Sequence, residues 1–176
     1  MQMTKKAQFV VRTFQYADLP EVLDVIDSCR REYGLEGKVQ SVLEPSDLAM
    51  TAVYRQSRSG YFVAVVGERI AGGAGIAPLS GNEARVCELQ RMYLRSCYRE
   101  QGIGHALLEA CIGAARGFGY SGCYAETISE MSIALSFYAR HGFRTIGSPM
   151  GETGHHHNDR WLLLEIGAAF RDGWEL

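Results

Sequence analysis

The run Arg99-Glu100-Gln101-Gly102-Ile103-Gly104 carries a basic residue and two glycines one residue apart, and an amphipathic segment begins directly behind it. This pattern suits an anion, above all a phosphate. The first amide groups of a helix have no partner within it, and the aligned peptide dipoles make that end electropositive. Glycines let ligand oxygens come close to the backbone. Two further positions carry chemistry: Glu88, in an alternating segment upstream, offers a carboxylate, and Tyr138, downstream, a phenol. Leu107 stands where a dinucleotide fingerprint needs its last glycine, and no Gly-Lys-Ser/Thr occurs, so dinucleotide and nucleoside-triphosphate loops are disfavoured.

These residues need elements to place them. Phe9 to Thr13 reads as a first strand. Asp18 offers an N-cap, Pro20 fits the first turn, and Leu19, Val22, Leu23, Ile26 and Cys29 recur at helical spacing, which predicts a helix from about Asp18 to Tyr33, ended by Gly34 and Gly37. Leu35 to Val42 lacks a period and reads as a loop, and Pro45 and Ser46 introduce a helix through about Gln56. Gly60 to Val66 and Ile70 to Ile76 form a hairpin around Gly67-Glu68-Arg69; Gly72, Gly73 and Gly75 weaken the second strand but suit a close-packed neighbour. After a loop at Leu79 to Glu83, a strand ends near Leu94. A helix follows from Ile103 to Arg116, with Leu107, Leu108, Cys111, Ile112 and Ala115 inward and Gly117 and Gly119 closing it. Tyr120 to Thr127 is a strand, about Glu130 to Arg140 a helix stopped by Gly142, and Phe143 to Ile146 and Trp161 to Ile166 the last strands. The order β-α-α-β-β-β-α-β-α-β-β implies an α/β domain whose mixed sheet is covered by helices on both faces.

Composition narrows the class. A chain of 176 residues with 47% hydrophobic content and no linker, repeat or low-complexity tract reads as a single domain, 1–176, with its core at about 9–167. A net charge of -2 gives no general attraction to nucleic acid. No apolar run approaches the length of a bilayer span, and the first residues lack a signal-peptide core, so a cytoplasmic protein without membrane partners is expected. Five scattered cysteines without a CxxC pair fit reduced thiols.

The loop Arg99 to Gly104 is similar to the Arg/Gln-x-x-Gly-x-Gly/Ala coenzyme A loop of the GNAT superfamily of N-acetyltransferases. Ala134 with Tyr138-Ala139-Arg140-His141-Gly142-Phe143 resembles its Ala-x-x-x-Tyr-x-x-x-Gly-Phe segment, and Glu88 to Leu94 its central strand; element order extends the resemblance over roughly Val10 to Ile166. It implies a mainly antiparallel GNAT-like sheet and acetyl-coenzyme A as co-substrate. The amides of Gln101, Gly102, Ile103, Gly104 and His105 would hold the pyrophosphate, with Arg99 nearby and Glu100 in the same loop. The Met92 amide would meet the acetyl carbonyl, and Leu94 the pantetheine arm. For Met92 and Leu94 to have free groups, the strand must part from its neighbour, and a bulge is expected close to Met92 and Tyr93.

Acetyl transfer needs a neutral acceptor amine, and a lysine-like amine is neutral at pH 7 only to roughly one part in a few thousand, so a base is useful. Glu88, four residues before Met92, resembles the base position of several superfamily members; a paired strand glutamate, with a water chain serving the amine, is the other reading. Tyr138 resembles the acid: a phenol of pKa about 10 facing a thiol of about 8.5 donates uphill by about 2 kcal/mol. Met131 departs from the asparagine that many members carry seven residues before the tyrosine, which removes a hydrogen bond to the cofactor arm; Ser132 is a candidate substitute. Direct attack in a ternary complex is expected, because none of Cys87, Cys97 and Cys123 has a neighbouring histidine to activate it.

For the acceptor, expected to be the primary amine of a small molecule, the candidates are Tyr33, Arg91, Glu126, Thr127 and the polar stretch Gly151 to Arg160, with its adjacent His155, His156 and His157. Adjacent histidines do not easily converge on one ion, so no metal is expected and the stretch reads as a loop bordering the acceptor cleft. Phe170 and Trp174 in the tail suit a homodimer contact. A noncatalytic acyl-coenzyme A binding or sensor module and a protein N-acetyltransferase remain as alternatives.

Overall fold

Alternation along Gly60–Val66 divides one strand between two cores: Tyr61 and Val63 enter one, Phe62, Ala64 and Val66 the other. The computed structural model describes residues 8–35, 47–82 and 85–167. Among these, the strands β1 (Phe9–Thr13), β2 (Gly60–Val66), β3 (Arg69–Pro78), β4 (Val86–Leu94), β5 (Gly122–Thr127), β6 (Arg144–Ile146) and β7 (Arg160–Glu165) form one sheet in the order β1-β2-β3-β4-β5-β7-β6. Every pairing is antiparallel except β4 with β5. Helices α1 (Leu19–Glu32) and α2 (Asp47–Tyr54) supply the core on one face. Helices α3 (Ile103–Gly117) and α4 (Ser132–Arg140) pack against the other. The expected order and helix placement hold. Gly37, Pro45, Ser46, Phe170, Trp174 and the loop 36–42 lie outside the described residues.

The apolar stripes explain the helices. In α1, Leu19, Val22, Val25, Ile26 and Cys29 are buried, and in α3, Ile103, Leu107, Leu108, Cys111, Ile112 and Ala115. Each large side chain fully enclosed in this way stabilises the fold by about 1.5–3 kcal/mol. The β3 glycines have a concrete cause. A Cβ at Gly73 would strike the Tyr61 ring, and one at Gly75 would strike both Tyr54 and Tyr61. These glycines let two tyrosines lie flat on the sheet and bring Tyr54 of α2 over β3.

Asp18 does not cap α1. A 3-10 turn over Tyr16–Asp18 precedes the helix, and the carboxylate accepts two hydrogen bonds of 2.7 Å from Arg12 and one of 2.7 Å from the Gln15 amide. The Arg12 bonds hold its carboxyl below the usual carboxylate range against the opposing effect of burial, and the Gln15 amide assists. This stability is present above the unfolded carboxylate pKa and is lost as pH falls through the lower folded value. Arg12 is partly exposed, which moderates the effect: Asp18→Ala is expected to cost about 1–2 kcal/mol at pH 7 in urea denaturation, a difference that narrows below pH 4.

Two features of β4 shape the site. Its pairing with β5 covers Val86↔Gly122, Cys87↔Cys123 and Glu88↔Tyr124 and then stops, so the strands part from Leu89 onward. Against β3, the register passes from Gly75↔Gln90 to Gly73↔Tyr93, so Ala74 faces both Arg91 and Met92. This is the expected bulge, placed at Arg91 and Met92, and Arg91 takes a left-handed φ of 48°. One extra residue changes which side chains face which core. Cys87 and Leu89 join the α3 side, as do Met92 and Leu94 beyond the bulge, while Tyr93 packs with α1.

Candidate active site

The loop from β4 to α3 builds an electropositive rim. A 3-10 turn over Ser96–Tyr98 tightens it, Gln101 Nε2 donates to the Cys97 carbonyl at 3.0 Å, and Glu100 and Gly102 take left-handed φ values of 62° and 87°. Gly102 stands at the N-cap of α3 without a side-chain cap, so the first helical amides, Ile103 to His105, are open to a ligand. A Cβ at Gly104 would meet Phe137 at 3.5 Å and Leu94 at 3.9 Å, ordinary contacts, so protein packing alone does not require glycine there. His141 Nδ1 lies 2.8 Å from the Phe137 carbonyl, which makes it the donor; its Nε2 then accepts from His105 Nδ1 at 2.9 Å.

Arg99 is spent elsewhere. Its guanidinium donates to both oxygens of Glu32 at 2.6 and 2.7 Å, Nε donates to the Leu94 carbonyl at 3.1 Å, and the group stacks 5.2 Å over Tyr33. Arg99 and Tyr33 therefore fasten the loop to the end of α1, and the Leu94 carbonyl is already occupied.

Around the other side of β4, a donor chain ends on Glu88. Arg91 Nη1 donates to the Tyr54 hydroxyl at 3.1 Å, Tyr54 donates to Gln90 Oε1 at 3.1 Å, and Gln90 Nε2 donates to Glu88 Oε2 at 2.6 Å. Tyr61 also donates to the Arg91 carbonyl, bracing the bulge. Glu88 is only 5% exposed, and burial pushes its carboxyl above the usual range although Gln90 and His155 oppose the shift. Glu126 lies on β5, just past the point where the strands part. Burial would raise its carboxyl, but hydrogen bonds from His155, Thr153 and Tyr124 prevail and hold it below the usual range. Tyr124 donates to Glu126 Oε2 at 2.9 Å, leaving Oε1 to His155 Nδ1. The same Nδ1 is 3.6 Å from Glu88 Oε1. The Glu126 hydrogen bond raises the His155 pKa, burial opposes this, and Glu88 adds to the rise.

The loop bearing His155 is pinned along its length. The Glu152 amide donates to the Ser80 carbonyl at 2.8 Å, and Gly151, at φ 74°, lies so close to Ser80 that a Cβ would run into its carbonyl. Asp159 closes the other end, accepting from the Ser129 amide and hydroxyl at 2.7 and 2.9 Å. Between these anchors His155 points inward, while His156 and His157 stay exposed.

Residues 22–143 match the profile of the acetyltransferase (GNAT) family. The chain belongs to this family. The uncharacterized N-acetyltransferase YjgM of Escherichia coli (strain K12) is 35% identical over 158 residues, which cover 89% of this chain and 95% of that protein. A GNAT-family acetyltransferase from Staphylococcus aureus Mu50 superposes with a TM-score of 0.79 at 22% identity, covering 90% and 99% of the two chains. The PaiA N-acetyltransferase of Thermoplasma acidophilum, solved in complex with coenzyme A, gives 0.71 at 17% identity, covering 90% and 99%. The protein is thus a GNAT acetyltransferase that draws its acetyl group from acetyl-coenzyme A.

In this GNAT enzyme Tyr138 lies on α4, half-buried, 5.6 Å from the Phe137 ring and 5.3 Å from Phe143. Its hydroxyl has no hydrogen-bond partner among the described residues. Burial pushes the phenol well above its ordinary value, so donating a proton costs more than the free-solution difference implies. Met131 stands just before α4, and Ser132 is exposed. Thr127 pairs with Arg160 of β7 and stays outside the Glu88 cluster. Buried Cys111 and Cys123 are pushed up by their surroundings, which disfavours their thiolates. The ligand atoms of Glu88, Glu126 and His155 lie within 4.8 Å of one another, a donor set that a divalent cation could use, but the direct Nδ1–Glu126 hydrogen bond leaves no space for an ion between those two. Sequence reasoning named the loop holding His155 but did not separate it from its neighbours, and it missed Tyr54, Gln90 and Tyr124. Gln90 and Tyr124 each lie two residues along the same strand from the carboxylate they serve, but only the fold brings the two pairs, Tyr54 and His155 together.

Proposed function

We infer that the enzyme acetylates the primary amine of a small molecule by direct attack within a ternary complex. The observation that carries this reading is the enclosed Glu88 carboxylate, with one oxygen tied to Gln90 and the other 3.6 Å from His155 Nδ1, next to the point where β4 and β5 part. In this reading the acceptor ammonium gives a proton to Glu88, and the neutral nitrogen attacks the thioester carbon. The C–N bond forms, the C–S bond breaks, and the sulfur ends protonated. The amides of Gln101, Gly102, Ile103, Gly104 and His105 hold the pyrophosphate, with Glu100 shaping the turn; Met92 polarises the acetyl carbonyl, and Tyr93 and Leu94 line the arm. Arg91 and Glu126 border the acceptor.

Tyr138 supplies the leaving sulfur with a hydrogen bond as negative charge builds there. Tyr138→Phe is expected to lower kcat about 10–100-fold with little change in KM for acetyl-coenzyme A, a loss confined to the transition state. The deciding experiment is amine-dependent release of free coenzyme A thiol across putrescine, lysine, phenethylamine, glucosamine and short peptides with free amino termini. Turnover of the small amines supports the reading, whereas turnover of peptides alone redirects it to a protein N-acetyltransferase. Coenzyme binding without turnover on any acceptor identifies a sensor instead.

A further inference from the structure

A protonated amine that becomes an amide releases one net proton per turnover, because two protons leave the nitrogen and the departing sulfur takes one. Under the reading above the remaining proton rests on Glu88, whose side chain is only 7% exposed. It must leave before the next cycle. The route is visible in the cluster. His155 is the member that reaches solvent, with 22% of its side chain exposed against 7% for Glu88 and 4% for Glu126. Its Nδ1 is held by Glu126 Oε1 and stands 3.6 Å from Glu88 Oε1, while Nε2 has no partner among the described residues.

We propose that the His155–Glu126 pair is the proton outlet of the active site, with Glu126 as the positioning residue and His155 as the carrier between Glu88 and solvent. The pair receives the Glu88 proton on its buried side, where Nδ1 and the carboxylate share one hydrogen bond, and loses a proton from Nε2. Glu88 returns to its ionised form and the pair to its starting charge, and reorientation of the imidazole, which puts a proton back on the nitrogen facing solvent, completes the cycle. Nothing else is consumed. The other charged or titratable groups around the pair are Arg91 on β4, Tyr54 on α2 and Tyr124 on β5. Burial pushes Tyr54 up to about 12, so it takes no part in proton exchange near neutrality. Tyr124 is likewise pushed up and donates to Glu126.

The outlet rests on Glu88 being the base, and the test separates the two. Thiol release is followed with acetyl-coenzyme A and the amine panel above for wild type, His155→Gln, Glu126→Gln and Glu88→Gln, with thermal midpoints measured for each. His155→Gln is expected to lose about 10–100-fold in kcat, to keep its KM for acetyl-coenzyme A, and to regain rate as free imidazole is added, since a diffusing base replaces the missing carrier. Glu126→Gln should move the acidic limb of the pH profile, and Glu88→Gln should be slow and indifferent to imidazole. If His155→Gln matches wild type from pH 6 to 9, or is slow and not restored by any imidazole concentration, the outlet is wrong while Glu88 stands. A fully active Glu88→Gln, or wild type that turns over none of the amines, removes the reading beneath it and the outlet with it.

Discussion

Gly104→Val is expected to fold normally and to lose coenzyme A affinity by at least 100-fold. A Cβ at this position meets Phe137 and Leu94 only at ordinary contact distances, so the protein itself has space for the first carbon. Valine also has a slightly better helix propensity than glycine, which keeps the stability change within about 1 kcal/mol. Its two methyl groups, however, would stand beside the first amides of α3, where the pyrophosphate is assigned. An anion kept away from those amides forfeits both its hydrogen bonds and the favourable end of the helix dipole. Calorimetric titration with coenzyme A checks this directly; affinity equal to wild type sinks the assignment of this loop.

Glu88→Gln is expected to lower kcat by about 100–1000-fold, the range of a lost general base, while the amide keeps the size of the side chain and can still accept from Gln90. Its pH signature is separate from its magnitude. Because burial raises the Glu88 carboxyl, the ionised form gathers only above the ordinary carboxylate range, and wild-type activity should rise with pH through that raised value. In the variant that limb disappears, and the remaining rise follows the ionisation of the free amine, with unit slope toward high pH. Comparison of kcat/KM from pH 5 to 9 distinguishes the two. A variant that retains the wild-type limb shows that Glu88 is not its source.

The turn into α3 was legible in the sequence because it is local. Gly102 and Gly104 sit at the start of α3, and the amides they expose belong to the same short stretch, so spacing alone describes this turn. The strand order followed for a similar reason, since each apolar period fits one element. Asp18 misled because a capping residue type does not reveal a competing partner, and Arg12 lies six residues away on another element. Arg99 has a partner that the sequence does not announce: Glu32, 67 residues earlier in the chain, pairs with its guanidinium. The meeting of Glu88, Glu126 and His155 hid most completely. Glu88, Glu126 and His155 come from β4, β5 and a loop beyond α4, and meet only because the loop is tied to Ser80 and Ser129. No periodicity encodes such a meeting.

The parting of β4 and β5 also bears on how long the enzyme lasts. Where the two strands separate, the sheet forgoes ladder hydrogen bonds that a continuous sheet would make. Any molecule that binds there in the folded chain alone stabilises it, by about 2.7 kcal/mol at a free concentration one hundred times Kd. The thermal midpoint is therefore expected to rise with the concentration of acetyl-coenzyme A, the co-substrate of this family.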